Sequence, residues 1–140
     1  MKPTSGLHIN YRRLIIITIT KKLFTTVFGT VIILVTLTNF LPFASTKSGN
    51  HHLLFGLFIA SASLIVFHLS IGIIALATAT YTHYSVWFLR IFGLVFAFAA
   101  IVGFASGHTV LGILPINLAD NLLHSFFAIA LLTAGFAIQE

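Results

Sequence analysis

From Leu23 onward the chain is almost continuously apolar. Between Lys22 and Glu140 the only charged residues are Lys47, Arg90 and Asp120. A helix needs about 20 apolar residues to cross a ~30 Å hydrocarbon core, and the uncharged stretches suffice for four crossings. The pattern predicts spans at about Leu23–Phe43, Leu53–Thr80, Val86–Gly107 and Asn121–Ile138. The second exceeds a ~30 Å core at about 1.5 Å per residue, so it is expected to tilt or project. Thr25, Thr26, Thr30, Thr36 and Thr38 in the first can return their hydroxyls to backbone carbonyls or neighbouring helices. Ser48 or Asn50 is the expected cap of the second helix, and Asp120 or Asn121 that of the fourth, where a carboxylate suits the positive helix end. The segment His108 to Ala119 is itself apolar and holds Pro115, which reads as an interfacial or re-entrant loop. The expected fold is all-α: a polytopic membrane protein with four transmembrane helices.

Composition agrees, with 59% hydrophobic and 6% charged residues and fifteen Phe among 140; mean hydropathy is +1.11. Such a chain is integral to a membrane. At 15.2 kDa, four spans of about 20 residues leave no room for an extramembrane enzyme module. The absence of cysteine excludes disulfides, thiolate metal sites and iron–sulfur clusters.

Charge sets the expected orientation. Lys2, Arg12, Arg13, Lys21 and Lys22 precede the first span, Arg90 falls near the same face, and Lys47 lies opposite. Six basic residues against one place both termini in the cytoplasm. Tyr81, Tyr84 and Trp87 suit an aromatic belt at that face. The first apolar run is too long for a signal peptide and no small-x-small site follows, so it reads as a retained span. Residues 1–22 then form a basic cytoplasmic arm and 23–140 the bundle. The net charge of +5 is concentrated in that arm, where Arg12, Arg13, Lys21 and Lys22 bracket the run Leu14 to Thr20. Nucleic-acid binding is the wrong inference. The basic pairs suit topology and anionic lipid heads, at about 1 kcal/mol per residue near the surface, or docking onto a larger partner.

A repeat is visible. Phe28-Gly29-Thr30-Val31 matches Phe92-Gly93-Leu94-Val95, and His52-Leu-Leu-Phe-Gly56 is then set opposite His124-Ser-Phe-Phe-Ala128. Two helical hairpins of equal topology would be related by a pseudo-two-fold along the membrane normal. Gly56 and Gly72 in the second span, and the stripe Ala99, Gly103, Gly107 in the third, are read as sites of close helix packing.

Three further elements carry a resemblance: a Gly-containing odd-numbered helix, Leu114-Pro115-Ile116-Asn117, and the run Ala119-Asp120-Asn121-Leu122-Leu123-His124. Over roughly Phe24 to Gly135 the chain resembles the bacterial four-helix membrane family known as domain of unknown function 4383. In that family the Asn-Leu-Leu-His element is typically followed four residues later by Gly; here the position is Ala128. The resemblance implies a four-helix fold and a membrane location, and no activity. The basic arm lies outside it.

Histidine is the side chain with chemical potential, and there are seven. His52 and His124 fall at matched positions on one rim, with His51 and His108 on the same side. They could tie helix to loop, contact a pigment or haem, or hold a metal; no His-x-x-His or His-x-x-x-His pair is present, and no metal site is assigned. His68 lies about 22 Å past Leu53 at 1.5 Å per residue, inside the hydrocarbon, where an ionisable residue is a functional candidate. It could hydrogen-bond a neighbouring helix, relay protons, or ligate a chlorophyll-type magnesium. A bis-His haem would need a second imidazole at the same depth, and the sequence offers none. Arg90 reads as snorkelling to the cytoplasmic face.

Two function classes follow. The first is a non-catalytic accessory or scaffolding subunit of a larger membrane complex, photosynthetic or respiratory, packing lipids or pigments such as a chlorophyll-type pigment or carotenoid, in a bacterial inner or thylakoid-type membrane. The second is an autonomous transporter or redox protein using His68 and the rim histidines. No carboxylate pair, nucleophile–base spacing or phosphate loop points to an enzyme. Candidate cofactor contacts are His68, His52 and His124; no cofactor is required.

Overall fold

The computed structural model describes residues 5–136; Lys2, Ile138 and Glu140 lie outside the described residues, as does the side chain of Arg12. Four helices carry the fold: α1 (Ser5–Leu37), α2 (Ala62–Thr78), α3 (Thr82–Ser106) and α4 (Leu118–Phe136). The segments Arg13–Phe40, Thr82–Ser106 and Leu118–Phe136 are long and apolar enough to cross a membrane, and α2 is a shorter apolar helix of 17 residues. Large side chains such as Leu34, Ile73, Leu94, Ile101 and Ile129 point outward, as lipid-facing positions do, because lipid tails are as apolar as the core. The chain is an all-α membrane protein.

Its helices form two repeated hairpins, α1 packed mainly on α2 and α3 mainly on α4. A β-hairpin sits at the tip of each: β2 (His51–Leu54) with β3 (Phe58–Ala60), and β4 (Thr109–Val110) with β5 (Leu114–Pro115). An additional strand, β1 (Ser45–Ser48), pairs antiparallel with β2. Both tips turn the same way. Phe55-Gly56 and Leu111-Gly112 all have positive φ, with Leu57 N donating to Leu54 O at 3.1 Å and Ile113 N to Val110 O at 3.0 Å. This is the I′-type turn that matches the strand twist.

The turns correct the alignment of the repeat. His52 corresponds to His108, Gly56 to Gly112, Ser61 to Asn117, His68 to His124 and Gly72 to Ala128, each pair 56 positions apart. The Phe28-Gly29 and Phe92-Gly93 match stands at a larger offset because the first half also contains β1 and its turn. Packing repeats as well. A Cβ on Gly29 would meet Leu76 at 3.2 Å and one on Gly93 would meet Leu132 at 2.8 Å, and Leu76 and Leu132 are again 56 apart.

Several boundaries move for identifiable reasons. α2 begins at Ala62, not Leu53, because the Phe55-Gly56 turn interrupts the apolar run and Ser61 supplies the cap, accepting from Leu64 N at 3.2 Å; Ser48 and Asn50 lie in and beside β1. α1 starts at Ser5, so the basic arm is continuous with the first span, and it gives way at Thr38–Phe40 to a single 3-10 turn. α4 starts one turn earlier than expected, capped by Asn117. Asp120 N donates to Asn117 Oδ1 at 3.0 Å and Asn117 N donates to Asp120 Oδ2 at 2.9 Å, a reciprocal capping arrangement. Gly56 and Gly107 do not pack helices. Gly56 is an exposed turn residue, and Gly107 ends α3 in the left-handed region with nothing near its Cβ position. Gly72, Ala99 and Gly103 are buried in helix contacts.

Candidate functional site

Phe96, close to the midpoint of α3, is fully buried and organises the centre of the bundle. Its ring contacts Phe28 of α1 at 6.1 Å, Phe67 of α2 at 6.3 Å and Phe127 of α4 at 5.3 Å between centroids. Edge-to-face contacts of this kind bring four helices to one point. Much of the chain's phenylalanine is used in this core.

Two imidazoles complete the cluster. His68 of α2 stacks on Phe96 with an interplanar angle of 20°, and His124 of α4 lies 5.5 Å from the same ring. The two imidazole centroids are 5.9 Å apart. The expected separation, with His124 at the rim and His68 alone at depth, is overturned. The late start of α2 puts His68 only six residues into its helix, and the early start of α4 puts His124 equally far into its own. Neither is tied to a carbonyl through the buried His68 Nε2 or His124 Nδ1, which have no hydrogen-bond partner.

A clasp at the hairpin end sets this register. Asp120 Oδ2 also accepts from Ile59 N of β3 at 3.2 Å, and Asn117 Nδ2 donates to Leu57 O at 2.7 Å. The start of α4 is thus bound to the first β-hairpin, and one turn further along α4 His124 meets His68.

Beside the pair lies a cavity of about 400 Å³ between α1, α2, the first β-hairpin and the start of α4. Its walls are mostly apolar, with Asn39, Thr36, His68 and Asp120 as polar members. Asn39 Nδ2 donates to Thr36 O at 2.8 Å, while Asn39 Oδ1 is buried without a partner.

The other candidate residues are elsewhere. His52 is exposed on β2 opposite Lys47, and His51, His83 and His108 are also exposed. Among the described residues no three His, Cys, Asp or Glu side chains come together as a metal site. Lys21 is buried at 6% exposure, so it does not share the outward placement of Arg13, with Lys22 between the two. Arg90 does more than snorkel: its Nε donates to Gly135 O at 2.9 Å and its guanidinium lies 4.6 Å over the Phe136 ring. A fixed positive charge thereby meets the negative end of α4. The 56-residue spacing could have revealed the His68–His124 pair from sequence; nothing comparable pointed to Phe96 or Asn39.

The family model described as Domain of unknown function (DUF4383) matches residues 22–137. The chain belongs to this family. The match spans both helical hairpins and the histidine pair, and the N-terminal turns of α1 precede it. The DUF4383 description names no activity. No curated protein and no solved structure matches the chain.

Proposed function

We propose that this DUF4383 protein is a non-catalytic accessory subunit of a larger membrane complex, photosynthetic or respiratory in kind. In this reading it packs lipids or pigments and stabilises assembly in a bacterial inner or thylakoid-type membrane, with both termini cytoplasmic. The N-terminal part of α1 carries the reading. Gly29 lies against Gly72 and Ala75, so α2, which ends at Thr78, stops alongside the middle of α1. The turns before Lys21 project past it, with Leu14, Ile15, Ile16 and Ile19 exposed between Arg13 and Lys22 and Tyr11 exposed just before Arg13. An aliphatic helical stub bracketed by basic side chains is suited to anionic lipid heads and to a helix of another subunit. Mild-detergent purification of the tagged protein at native level, with mass spectrometry of co-eluting chains, tests this.

A second reading, an autonomous transporter or redox protein, is favoured by one observation: the contact of His68 with His124. Buried ionisable side chains mark relays and binding sites in membrane proteins. A colourless protein eluting alone, with proton or solute flux in vesicles that His68→Ala abolishes, would establish it instead.

A further inference from the structure

We propose that the cavity beside the histidine pair binds the polar end of a neutral, hydroxyl-bearing lipophile. The inference deepens the reading of the chain as a packer of lipophiles and rests on it. A volume of about 400 Å³ falls in the range of small-molecule sites. Ile32, Leu64, Ile65, Phe58 and Phe127 supply apolar walls. Val31 and Val35 also line it and are exposed on α1 within the candidate span Arg13–Phe40. The cavity therefore opens sideways, toward lipid, and an apolar chain can enter without crossing water.

The polar members select the head group. Asn39 Oδ1 and His68 Nε2 are both buried and unpartnered, and a buried polar atom left without a hydrogen bond costs free energy that a ligand can recover. Asn39 Oδ1, an amide oxygen, can only accept, and one hydrogen of the neighbouring Nδ2 already goes to Thr36 O. The imidazole nitrogen donates or accepts according to tautomer. A hydroxyl has one hydrogen, so it serves both by donating to Asn39 Oδ1 and accepting from His68 in the tautomer that carries its proton on Nε2. A ketone or ester oxygen leaves Asn39 unsatisfied. Among the described residues no Lys or Arg lines the cavity to pair with a carboxylate or phosphate head, and a buried anion without a cationic partner is costly. An isoprenoid alcohol, a hydroquinone and a monoacylglycerol share the required chemistry.

Retinol, a fluorescent polyene alcohol, is the probe, with retinyl methyl ether and retinoate as controls. All three are titrated into the full-length protein in detergent and corrected for partition into empty micelles. Saturable retinol binding is expected, about tenfold tighter than the ether, which lacks the donor. Asn39→Leu should weaken retinol at least fivefold while leaving the ether unchanged, His68→Phe should weaken retinol at least fivefold, and Val35→Trp should abolish binding of both alcohol and ether. Each variant is first checked for a wild-type elution volume, and Asn39→Leu, which removes an unpaired polar atom, keeps the test open if His68→Phe does not fold. Equal binding of alcohol and ether, or no saturable retinol binding to monodisperse wild-type protein, would overturn the site. Mass spectrometry of an organic extract of the purified protein then separates alcohol, hydroquinone and glyceride sources, and a co-purified anionic lipid displaced by retinol would also overturn it. Retinol binding by a protein that elutes without partner chains would overturn the subunit reading alone; partner chains without retinol binding would overturn the site alone.

Discussion

His68 and His124 occupy the same position in successive helical hairpins, 56 residues apart in sequence and 5.9 Å apart between ring centroids. Each contributes a buried ring nitrogen without a partner. A residue retained for stability would be expected to satisfy that atom. His124→Leu, similar in volume, should therefore cost less than about 1 kcal/mol or even stabilise the ligand-free protein, because replacing an unpaired polar group by an apolar one returns its desolvation penalty. Thermal unfolding in detergent checks this. Combined with His68→Leu the effect should depart from additivity by at least about 0.5 kcal/mol, as expected for residues in contact.

Asp120 holds two elements at once, capping α4 through Asn117 and gripping β3 through Ile59 N. Asp120→Ala should destabilise by about 1–3 kcal/mol, the cost of leaving buried donors unsatisfied. Hydrogen exchange should accelerate at Ile59 and Asn117 before it does in α3. Asp120→Asn, which keeps one acceptor oxygen, should recover part of the loss.

Much of the architecture was legible in the sequence, because long uncharged runs and the placement of Lys47, Arg90 and Asp120 have few solutions in a bilayer. The β-hairpins were not. His52-Leu-Leu-Phe-Gly56-Leu-Phe-Ile is as apolar as the helix that follows, and Phe55 and Leu111 adopt positive φ, where non-glycine residues are uncommon, instead of the Asn or Asp that usually announces such a turn. That hidden turn displaced the start of α2 by nine residues and with it the depth assigned to His68. The same displacement concealed the contact of His68 with His124.

Gly103 and Gly107, read from sequence as one stripe, should behave differently. A Cβ on Gly103 would run into Asn121 and Ile116, so Gly103→Asn should disrupt the α3–α4 contact at a cost of about 1–3 kcal/mol or more. Gly107 has φ +80° and open space around it, and Asn tolerates the left-handed region. Gly107→Asn should unfold within a few degrees of wild type.

Arg90 binds the C-terminal end of α4 through Nε and lies over Phe136. Arg90→Gln should cost about 1.5–3 kcal/mol, the worth of a hydrogen bond to a charged group. Arg90→Lys should rescue it poorly, since an ammonium cannot both stack on the ring and present an Nε–H. Unfolding midpoints of the two variants in one detergent decide the point.

The most direct test of the account is the composition of the assembly. Tagged protein expressed at native level and purified in mild detergent should co-elute with integral membrane subunits in fixed ratio. Replacing Leu14, Ile15, Ile16 and Ile19 by Ser, outside the family match, should release those subunits while the four-helix bundle stays folded. A lone 15.2 kDa chain with no partner, unaffected by those substitutions, would contradict it.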